Sequence, residues 1–167
     1  MAFFICGAPV KKIAVFVDVQ NIYYTTRDAY GRPFNYRKLW AKLAKQGEIF
    51  IANAYAINKG DDKQIKFQDA LKHIGFEVKL KPYIQRSDGS AKGDWDVGIT
   101  IDVMEAAASE INTVVLLSGD GDFDLLLKKI KQTNAIHTEV YGVPKLTAGS
   151  LIEAADEFHP IQADLLL

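Results

Sequence analysis

Short apolar runs alternate along the chain with longer segments that repeat apolar residues at helical spacing. A short continuous apolar run indicates a buried strand, and an apolar repeat every three or four residues indicates a helix packed by one face. This alternation predicts an α/β protein with right-handed crossovers, in a three-layer α/β/α sandwich around a mainly parallel sheet. The predicted strands cover residues 13–17, 49–57, 76–84, 114–117 and 138–143, and the predicted helices cover 36–46, 63–74, about 94–109, 122–133 and 150–157.

Two segments depart from this simple alternation. Residues 22–34 contain tyrosines together with a glycine and a proline, which predicts a loop or a short helix with exposed aromatic side chains. In residues 76–84, apolar residues alternate with Lys79 and Lys81, and this one-sided pattern predicts an edge strand. An exposed sheet edge of this kind would permit a homodimer to form by strand pairing.

Composition is that of an ordinary globular protein. The 167 residues and the 49% apolar content suffice for one domain with a real core. We expect an N-terminal arm or edge strand over residues 1–12, a single domain over 13–161 and a C-terminal tail over 162–167. The one cysteine, Cys6, excludes an internal disulfide, and no apolar run reaches the roughly 18 residues of a membrane helix. The expectation is a cytoplasmic protein with no membrane segment.

Aspartates occur at three places where a helix is predicted to begin. Asp18 ends the first buried strand and Asp120 follows the strand over 114–117, so both carboxylates should lie at the sheet edge where open α/β proteins bind ligands. Two such charges about 4 Å apart repel by about 4 kcal/mol at an effective dielectric constant of about 20, so a cluster must hold protons or a cation. The three places carry Asp18, then Asp94 and Asp96, then Asp120, Asp122 and Asp124.

Oxygen ligands with no histidine or cysteine nearby favour a hard divalent cation, Mg²⁺ or Mn²⁺. A bound ion with open water positions can activate water for attack on a phosphoryl group. The opposing interpretation is that an aspartate at the start of a helix is an N-cap. Asp18 and Asp120 are the stronger ligand candidates, because each follows a fully apolar strand, where an unpartnered carboxylate is costly. The cap interpretation applies best to the other four, which are Asp94, Asp96, Asp122 and Asp124.

Other motifs fit the glycine-rich acidic turn poorly. In an EF-hand loop starting at Asp120, position six would be Leu125 instead of glycine, and position twelve would be Lys131 instead of glutamate. In a dinucleotide-binding fingerprint starting at Gly119, the third glycine position is Asp124. The histidines lack metal-ligand spacing in the sequence and are predicted to be surface or packing residues; they are His73, His137 and His159.

Four motifs in order carry a family resemblance: Val15–Asn21, Lys92–Val97, Ile99–Asp102 and Leu116–Phe123. Over roughly residues 13–161, the chain resembles NYN domains, and in particular their LabA-like branch. NYN domains are similar to PIN domains, so the resemblance implies a Rossmann-like, PIN-like fold and a metal-dependent ribonuclease site.

The resemblance also assigns roles to individual positions. The residues that match the acidic metal ligands of the family are Asp18, Asp96, Asp120 and Asp122, while Asn21 and Ser118 match polar residues that would orient ligands or the scissile phosphate. Asp102 matches a further family acid but lies about 120° from Asp96 around a helix. We therefore expect Asp102 to hold a neighbouring backbone or basic group instead of metal.

A ribonuclease with a formal net charge of −1 needs a local cationic surface to hold RNA. Lysines can equally form a solvated helix face, and tyrosines can equally pack in the core. The residues considered for RNA contact are Arg86 and Lys92 in a polar loop, Lys128 after the acidic turn, and Tyr23 and Tyr24, whose rings would stack on unpaired bases, with Lys59 and Lys63 at the next loop of the same edge.

Three functions remain open from the sequence. The first is a ribonuclease that hydrolyses RNA phosphodiester bonds with Mg²⁺ or Mn²⁺. The second is a non-catalytic or weakly catalytic RNA-binding regulatory module of the same fold. The third is a phosphatase in which Asp120 or Asp122 acts as nucleophile and forms a phospho-aspartate.

Overall fold

A parallel sheet of six strands forms the middle layer of the fold, with helices on both of its faces. The computed structural model describes residues 10–82, 84–85, 91–92 and 94–167. In chain order the elements are β1 (Lys11–Asp18), α1 (Val19–Tyr30), α2 (Tyr36–Gln46), β2 (Gly47–Asn58), α3 (Asp62–Ile74), β3 (Glu77–Pro82), β4 (Ile84–Gln85), β5 (Ala91–Lys92), α4 (Asp96–Ala107), β6 (Thr113–Leu117), α5 (Asp124–Asn134), β7 (His137–Gly142), α6 (Gly149–Ala154) and β8 (Glu157–Pro160), with 3₁₀ turns at Gly121–Phe123, Pro144–Leu146 and Ala163–Leu165.

The strand order of the main sheet is β3-β2-β1-β6-β7-β8, and every neighbouring pair is parallel. Numbered within this sheet alone, the order is the 3-2-1-4-5-6 arrangement of the doubly wound Rossmann fold. The expected three-layer α/β class with a parallel sheet is confirmed. Because the chain reverses its direction of travel between β1 and β6, the crevice above their carboxyl ends is the topological switch point where such folds bind ligands.

The central strands are buried on both faces, as their continuous apolar runs predict. In β1, Val15 and Val17 contribute to the apolar core under α1, α2 and α3. Ala14 and Phe16 contribute to a second core under α4, α5 and α6. Each side chain of this stretch therefore loses all contact with water, and the register of β1 against its neighbours is strongly specified.

Side-chain caps set the starts of two helices. The Asn35 side chain accepts a hydrogen bond from the backbone N–H of Lys38 at the start of α2, and Asp61 does the same for Gln64 at the start of α3. The helix α3 has 13 residues and is the longest among the described parts of the chain. Within those parts, no helix has both the length and the apolar character needed to cross a membrane.

The segment 22–34 differs from the expected loop or short helix, because α1 continues through Tyr30 as a helix of 12 residues. Its buried face consists of Val19, Ile22 and Thr26, which are spaced as one side of a helix requires. The Thr26 hydroxyl donates a 2.7 Å hydrogen bond to the Ile22 carbonyl oxygen, so the polar group is satisfied inside the helix. Because a polar threonine occupies one position of this buried face, the helical repeat of apolar residues is weak in the sequence.

Both the first and the last of the described residues contribute to the fold. The last residues of the expected N-terminal arm, from Lys11 onward, already belong to β1, and residues 1–9 lie outside the described part. The expected edge position of β3 is confirmed, while β8 forms the opposite edge. Within residues 162–167, expected as a tail, Leu165 and Leu166 are buried in the core beside α2.

Truncation of Leu166 tests this closing contact. Leu166 is 3% exposed, whereas the adjacent Leu167 is 65% exposed and provides a matched control. We expect Leu166→Ala to lower the free energy of unfolding by about 2–4 kcal/mol, because it leaves a cavity under α2. The Leu167→Ala variant should change it by less than about 0.5 kcal/mol in the same urea titration. Equal effects of the two substitutions would contradict the packed position of the C-terminal residues.

Candidate functional site

The carboxyl ends of β1 and β6 bring two polar residues side by side. Val17 of β1 pairs in register with Leu117 of β6, so the next residues, Asp18 and Ser118, emerge together at the switch point. The Ser118 hydroxyl donates a 3.2 Å hydrogen bond to Oδ2 of Asp18. Ser118 itself is fully buried. The predicted position of Asp18 beside the β6 turn is therefore found in the fold.

A chain of short hydrogen bonds shapes the turn after β6. The backbone N–H of Asp120 donates to the Ser118 hydroxyl at 3.2 Å, and Oδ1 of Asp120 accepts from the backbone N–H of Asp122 at 2.9 Å. The amide oxygen of Asn21 accepts from the backbone N–H of Gly119 at 2.9 Å and so fastens the turn to α1. Asn21 and Ser118 thus hold the two acidic junctions in a fixed relation.

Close packing under the turn explains its glycine-rich sequence. A Cβ atom on Gly119 would lie 2.5 Å from the carbonyl oxygen of Leu146, which is backbone and has no freedom to move aside. The Gly119 carbonyl oxygen accepts a 3.0 Å hydrogen bond from the backbone N–H of Ala148. The segment after β7 therefore supports the acidic turn from below, and only glycine permits that approach.

The helix α4 delivers the third acidic junction. Its position depends on Trp95, whose indole N–H donates to the Ala56 carbonyl oxygen at 2.9 Å and whose ring packs edge-on against Tyr55, with the ring centroids 5.2 Å apart. Asp96 follows directly as the first residue of the helix. Asp96, Asp120 and Asp122 each offer a carboxylate oxygen, and these three oxygens lie within 4.8 Å of one another.

The pKa values of two aspartates show how crowded the negative charge is. Burial raises the pKa of Asp18 to about 6, and the charges of Asp120 and Asp94 act in the same direction, against the hydrogen bonds from Asn21 and Ser118. Burial also raises the pKa of Asp96 to about 7, with further contributions from the charges of Asp120, Asp94 and Asp18. The cluster is a place where a cation would be stabilised.

Asp94 belongs to this electrostatic environment, although the sequence indicated only a cap or surface role for it. Its Oδ1 accepts from the backbone N–H of Asp96 at 3.3 Å, and its charge raises the pKa of both Asp18 and Asp96. In the sequence, the position of Asp94 two residues before Asp96 could have indicated that it lies near the cluster. Asp124 remains separate, because it begins α5 and lies outside the converging group.

The cap interpretation applies to different aspartates from those expected. Asp18 is the N-cap of α1, through Oδ1 and the backbone N–H of Asn21, and Asp120 is the N-cap of the 3₁₀ turn at Gly121–Phe123. Asp96 and Asp122 lie inside the first turns of their helices instead. A carboxylate has two oxygens, so one can cap a helix while the other faces the cluster.

Asp102 lies on a different side of α4 and makes the kind of contact expected for it. Its Oδ2 lies 2.8 Å from the Lys79 ammonium and accepts a 2.7 Å hydrogen bond from the Tyr55 hydroxyl. These contacts lower the pKa of Asp102 against the opposing effect of its burial. The acid thus ties α4 to β2 and β3 instead of joining the cluster.

An apolar groove of about 430 Å³ begins beside the acidic edge and runs between α1 and α3. Val19, the residue after Asp18, lies at one end of it, and Ala56 and Ile57 of β2 form part of its wall. The tyrosines considered for base stacking, Tyr23 and Tyr24, both line this groove.

The remaining candidates for RNA contact lie in different parts of the chain, and only some of them are near the groove. Lys59 and Lys63 line the groove. Lys128 is exposed on α5, beyond the acidic turn. Arg86 lies outside the described residues, and of Lys92 only the backbone, in β5, is described.

Arg27 is a cation on α1, in contact with the two groove-lining tyrosines, that the sequence did not single out. Its guanidinium carbon lies 4.8 Å from the ring centroid of Tyr24 and 5.5 Å from that of Tyr23. Arg27 follows Tyr23 by four residues and Tyr24 by three. These are the spacings at which side chains on a helix contact each other, so the sequence could have indicated the contact.

Comparison with known proteins accounts for the order of the motifs. The NYN domain model matches residues 12–162, which contain every strand of the main sheet except the first residue of β1. The chain belongs to the NYN domain family. The resemblance read from the four motifs is thereby confirmed, and this NYN domain shares its family's relationship to PIN ribonucleases.

Three known proteins are similar to this chain, two in sequence and one in fold alone. The chain is 31% identical over 158 residues to the low amplitude and bright protein LabA of Synechococcus elongatus, a match that covers 89% of this chain and 82% of LabA. It is 52% identical to VPA0982, a protein of unknown function from Vibrio parahaemolyticus, with a TM-score of 0.89 over 95% of this chain and 97% of the other. Ribokinase from Giardia lamblia is 13% identical, with a TM-score of 0.50 over 93% of this chain and 59% of the other, and shares the fold alone.

The raised pKa of Asp18 predicts how stability depends on pH in the metal-free NYN domain. Because the pKa is about 6 in the folded protein and 3.8 for an unperturbed aspartate, the folded state binds the proton more tightly, and stability falls as pH rises through that window. Asp18→Asn removes the ionised form while keeping an acceptor oxygen. We expect it to raise the free energy of unfolding by about 1–3 kcal/mol at pH 7, but much less at pH 4.

Urea unfolding in EDTA at the two pH values measures this difference. Asp69→Asn, at an exposed position on α3, is the control and should change stability little at either pH. A stabilisation by Asp18→Asn that is the same at both pH values would contradict the buried, ionised carboxyl.

Proposed function

We propose that this NYN domain is a metal-dependent ribonuclease that hydrolyses RNA phosphodiester bonds at the switch point of its sheet. The observation that supports this most is the convergence of carboxylates from separate strand-helix junctions. Asp96 begins α4, Asp120 and Asp122 lie at the turn after β6, and one oxygen of each lies within 4.8 Å of the others. Asp18 ends β1 beside this group, and the charge of Asp120 contributes to its raised pKa. Such a cluster is costly for the fold in the absence of a counter-charge, and a positively charged ligand would offset that cost.

The chemistry of the donor set fits Mg²⁺ or Mn²⁺. Every side chain that would hold the ion offers oxygen: Asp18, Asp96, Asp120 and Asp122. Oxygen donors are the preferred ligands of hard divalent cations. Bound there, the cation would lower the pKa of a water molecule and stabilise the charge that develops on the phosphate and the departing oxygen.

The chain's own residues position this chemistry. Asn21 fixes the backbone of Gly119, and Ser118 joins Asp18 to the backbone of Asp120, so the two β-strand ends keep their spacing when a substrate approaches. Burial and the neighbouring charges raise the pKa of Asp96 to about 7, so a cation held there would compete with a proton for this carboxyl near neutral pH. Asn21 and Ser118 act as positioning residues in this proposal, and the aspartates act as ligands.

The groove between α1 and α3 is the proposed path of the RNA. It adjoins Asp18, it combines apolar walls with the rings of Tyr23 and Tyr24, and Lys59 and Lys63 lie along it. Aromatic rings hold unpaired bases by stacking, and lysines hold the phosphates between them. Single-stranded RNA would therefore reach the acidic cluster with its backbone accessible.

A second candidate is an RNA-binding module with little turnover. It is favoured by the fact that two other lysines near the acids are already engaged in contacts within the protein. Lys79 is paired with Asp102, and Lys81 donates to the Asp94 carbonyl oxygen at 3.0 Å and lies over the Trp95 ring. Both are engaged within the protein and are poorly placed to stabilise a transition state.

The homodimer that the edge strand would permit is left as a prediction that no observation supports.

Cleavage of single-stranded RNA with Mn²⁺ separates the two candidates. We expect the parent protein to cleave, and Asp18→Asn and Asp120→Asn each to reduce the rate at least about 100-fold, because each removes a ligand of the ion. Asp69→Asn on α3 is the control and should keep the parent rate. Retained cleavage in both cluster variants would exclude this site. Binding without any cleavage by the parent would favour the binding module, and a trapped phospho-aspartate would favour the phosphatase.

Equilibrium binding tests the groove independently of turnover. Tyr23 is 56% exposed, so Tyr23→Ala removes a stacking surface with little effect on the core. We expect the dissociation constant for a short single-stranded RNA with a non-hydrolysable backbone to rise about 5- to 30-fold, as measured by fluorescence anisotropy with Mn²⁺ present. Phe50→Ala, which removes a 43% exposed ring near the amino end of β2, should leave affinity unchanged. Equal loss in both variants would indicate that the groove is not the RNA path.

A further inference from the structure

A cluster of histidines and glutamates lies at the amino ends of β7 and β8, at the end of the sheet opposite the acidic site. Residues at alternate positions of a strand share a face, so His137 and Glu139 of β7 lie together, as do Glu157 and His159 of β8. Glu139 and Glu157 are direct partners in the strand pairing. His137 is in register with Thr113, five residues before Ser118, and at about 3.3 Å per residue it lies roughly 17 Å from the level of Ser118.

The ligating atoms of this cluster are already close together. Nε2 of His137 lies 2.6 Å from Oε2 of Glu157 and 3.3 Å from Oε2 of Glu139. One atom from each of these residues lies within 4.8 Å of the others. Ligand atoms around a tetrahedral zinc ion are about 3.3 Å apart when each bond is about 2.0–2.1 Å long. The three side chains thus surround a volume of the size that such an ion requires.

The proton count favours a cation over a set of hydrogen bonds. One ring nitrogen carries at most one proton, yet Nε2 of His137 faces two carboxylate oxygens. Among the described residues, the lysine that opposes the two glutamates is Lys11, whose ammonium lies 2.9 Å from Oε2 of Glu139. Two glutamate side chains thus face one ammonium group, and Glu139 is only 1% exposed.

The surroundings of the three ligands resemble the outer shell of metal sites. Histidine ligands commonly direct their other ring nitrogen at a carboxylate, and Nδ1 of His137 faces Oδ2 of Asp156 at 3.7 Å, an ion-pair distance that is too long for a hydrogen bond. The backbone N–H of Thr138 holds that oxygen at 2.9 Å. The remaining oxygen of Glu139 is held by Nε2 of His159 at 2.8 Å, which orients the carboxylate toward His137.

We propose that His137, Glu139 and Glu157 form a second metal site, for Zn²⁺ or a similar borderline divalent ion, that fastens the edge strand β8 to β7. A nitrogen ligand combined with carboxylates selects such an ion over Mg²⁺, in contrast to the all-oxygen cluster at the switch point. Lys11 is the counter-ion of Glu139 in the metal-free protein. The inference is independent of ribonuclease activity, since it involves the opposite end of the sheet.

Titration of the purified full-length protein with Zn²⁺, followed by calorimetry and by the visible spectrum of bound Co²⁺, tests the site. We expect one ion per chain in an Asp120→Asn background, which disables the acidic cluster. His137→Ala and Glu157→Gln should weaken binding at least about tenfold and abolish the Co²⁺ spectrum of a four-coordinate site. The two side chains are 37% and 45% exposed, so neither substitution disturbs the core. His73→Ala, at an exposed position of α3, is the control and should bind as the background does.

Lys11→Gln supplies a test in the opposite direction. Removal of the ammonium beside Oε2 of Glu139 should tighten Zn²⁺ binding and increase the rise in melting temperature that Zn²⁺ produces. Absence of Zn²⁺ binding, or equal binding in the His137, Glu157 and His73 variants, would overturn the proposal. The same holds if Lys11→Gln weakens the binding of the ion.

Discussion

The pairing of β1 with β6 is the constraint on which the acidic site depends. Both strands are buried on both faces, so their register is set by the packing of apolar side chains against two helical layers. A shift by one residue would exchange the two faces of a strand and place each apolar side chain against the wrong helical layer, where its shape does not fit. The same register places Asp18 beside Ser118. The packing of the core thereby fixes the Asp18 carboxylate at a largely buried position. Burial disfavours the charged form of the carboxyl and so raises its pKa.

Much of this arrangement was predictable, because it follows from local pattern. Continuous apolar runs identified the central strands, and the helix predicted over residues 36–46 is α2. The start of α4 was less predictable, since Trp95 provides no side-chain cap and is held instead by β2 through the Ala56 carbonyl oxygen. That contact is tertiary and leaves no trace in the spacing of residues along the chain. It decides that Asp96 faces the cluster and that Asp94 lies close enough to influence it.

The histidines illustrate a second limit of sequence pattern. His137 and His159 are far apart in the chain and looked unrelated to each other and to any acid. Strand pairing brings them onto one face with Glu139, which is buried and needs partners for its charge. Alternation within a strand is visible in the sequence, but the identity of the neighbouring strand is not. Clusters that form across strands are therefore recognised only once the strand order is known.

In the proposed function, the binding of the metal ion and the binding of RNA depend on each other through the local charge. Without a cation, the edge of the sheet presents several carboxylates to an approaching phosphate, and the repulsion is strongest where water is excluded. The chain has a formal net charge of −1, so no overall field compensates for it. A divalent ion would reverse the local sign and would make the groove beside Asp18 continuous with an attractive surface. Each ligand would then raise the affinity for the other, because a coupling free energy between two sites is reciprocal.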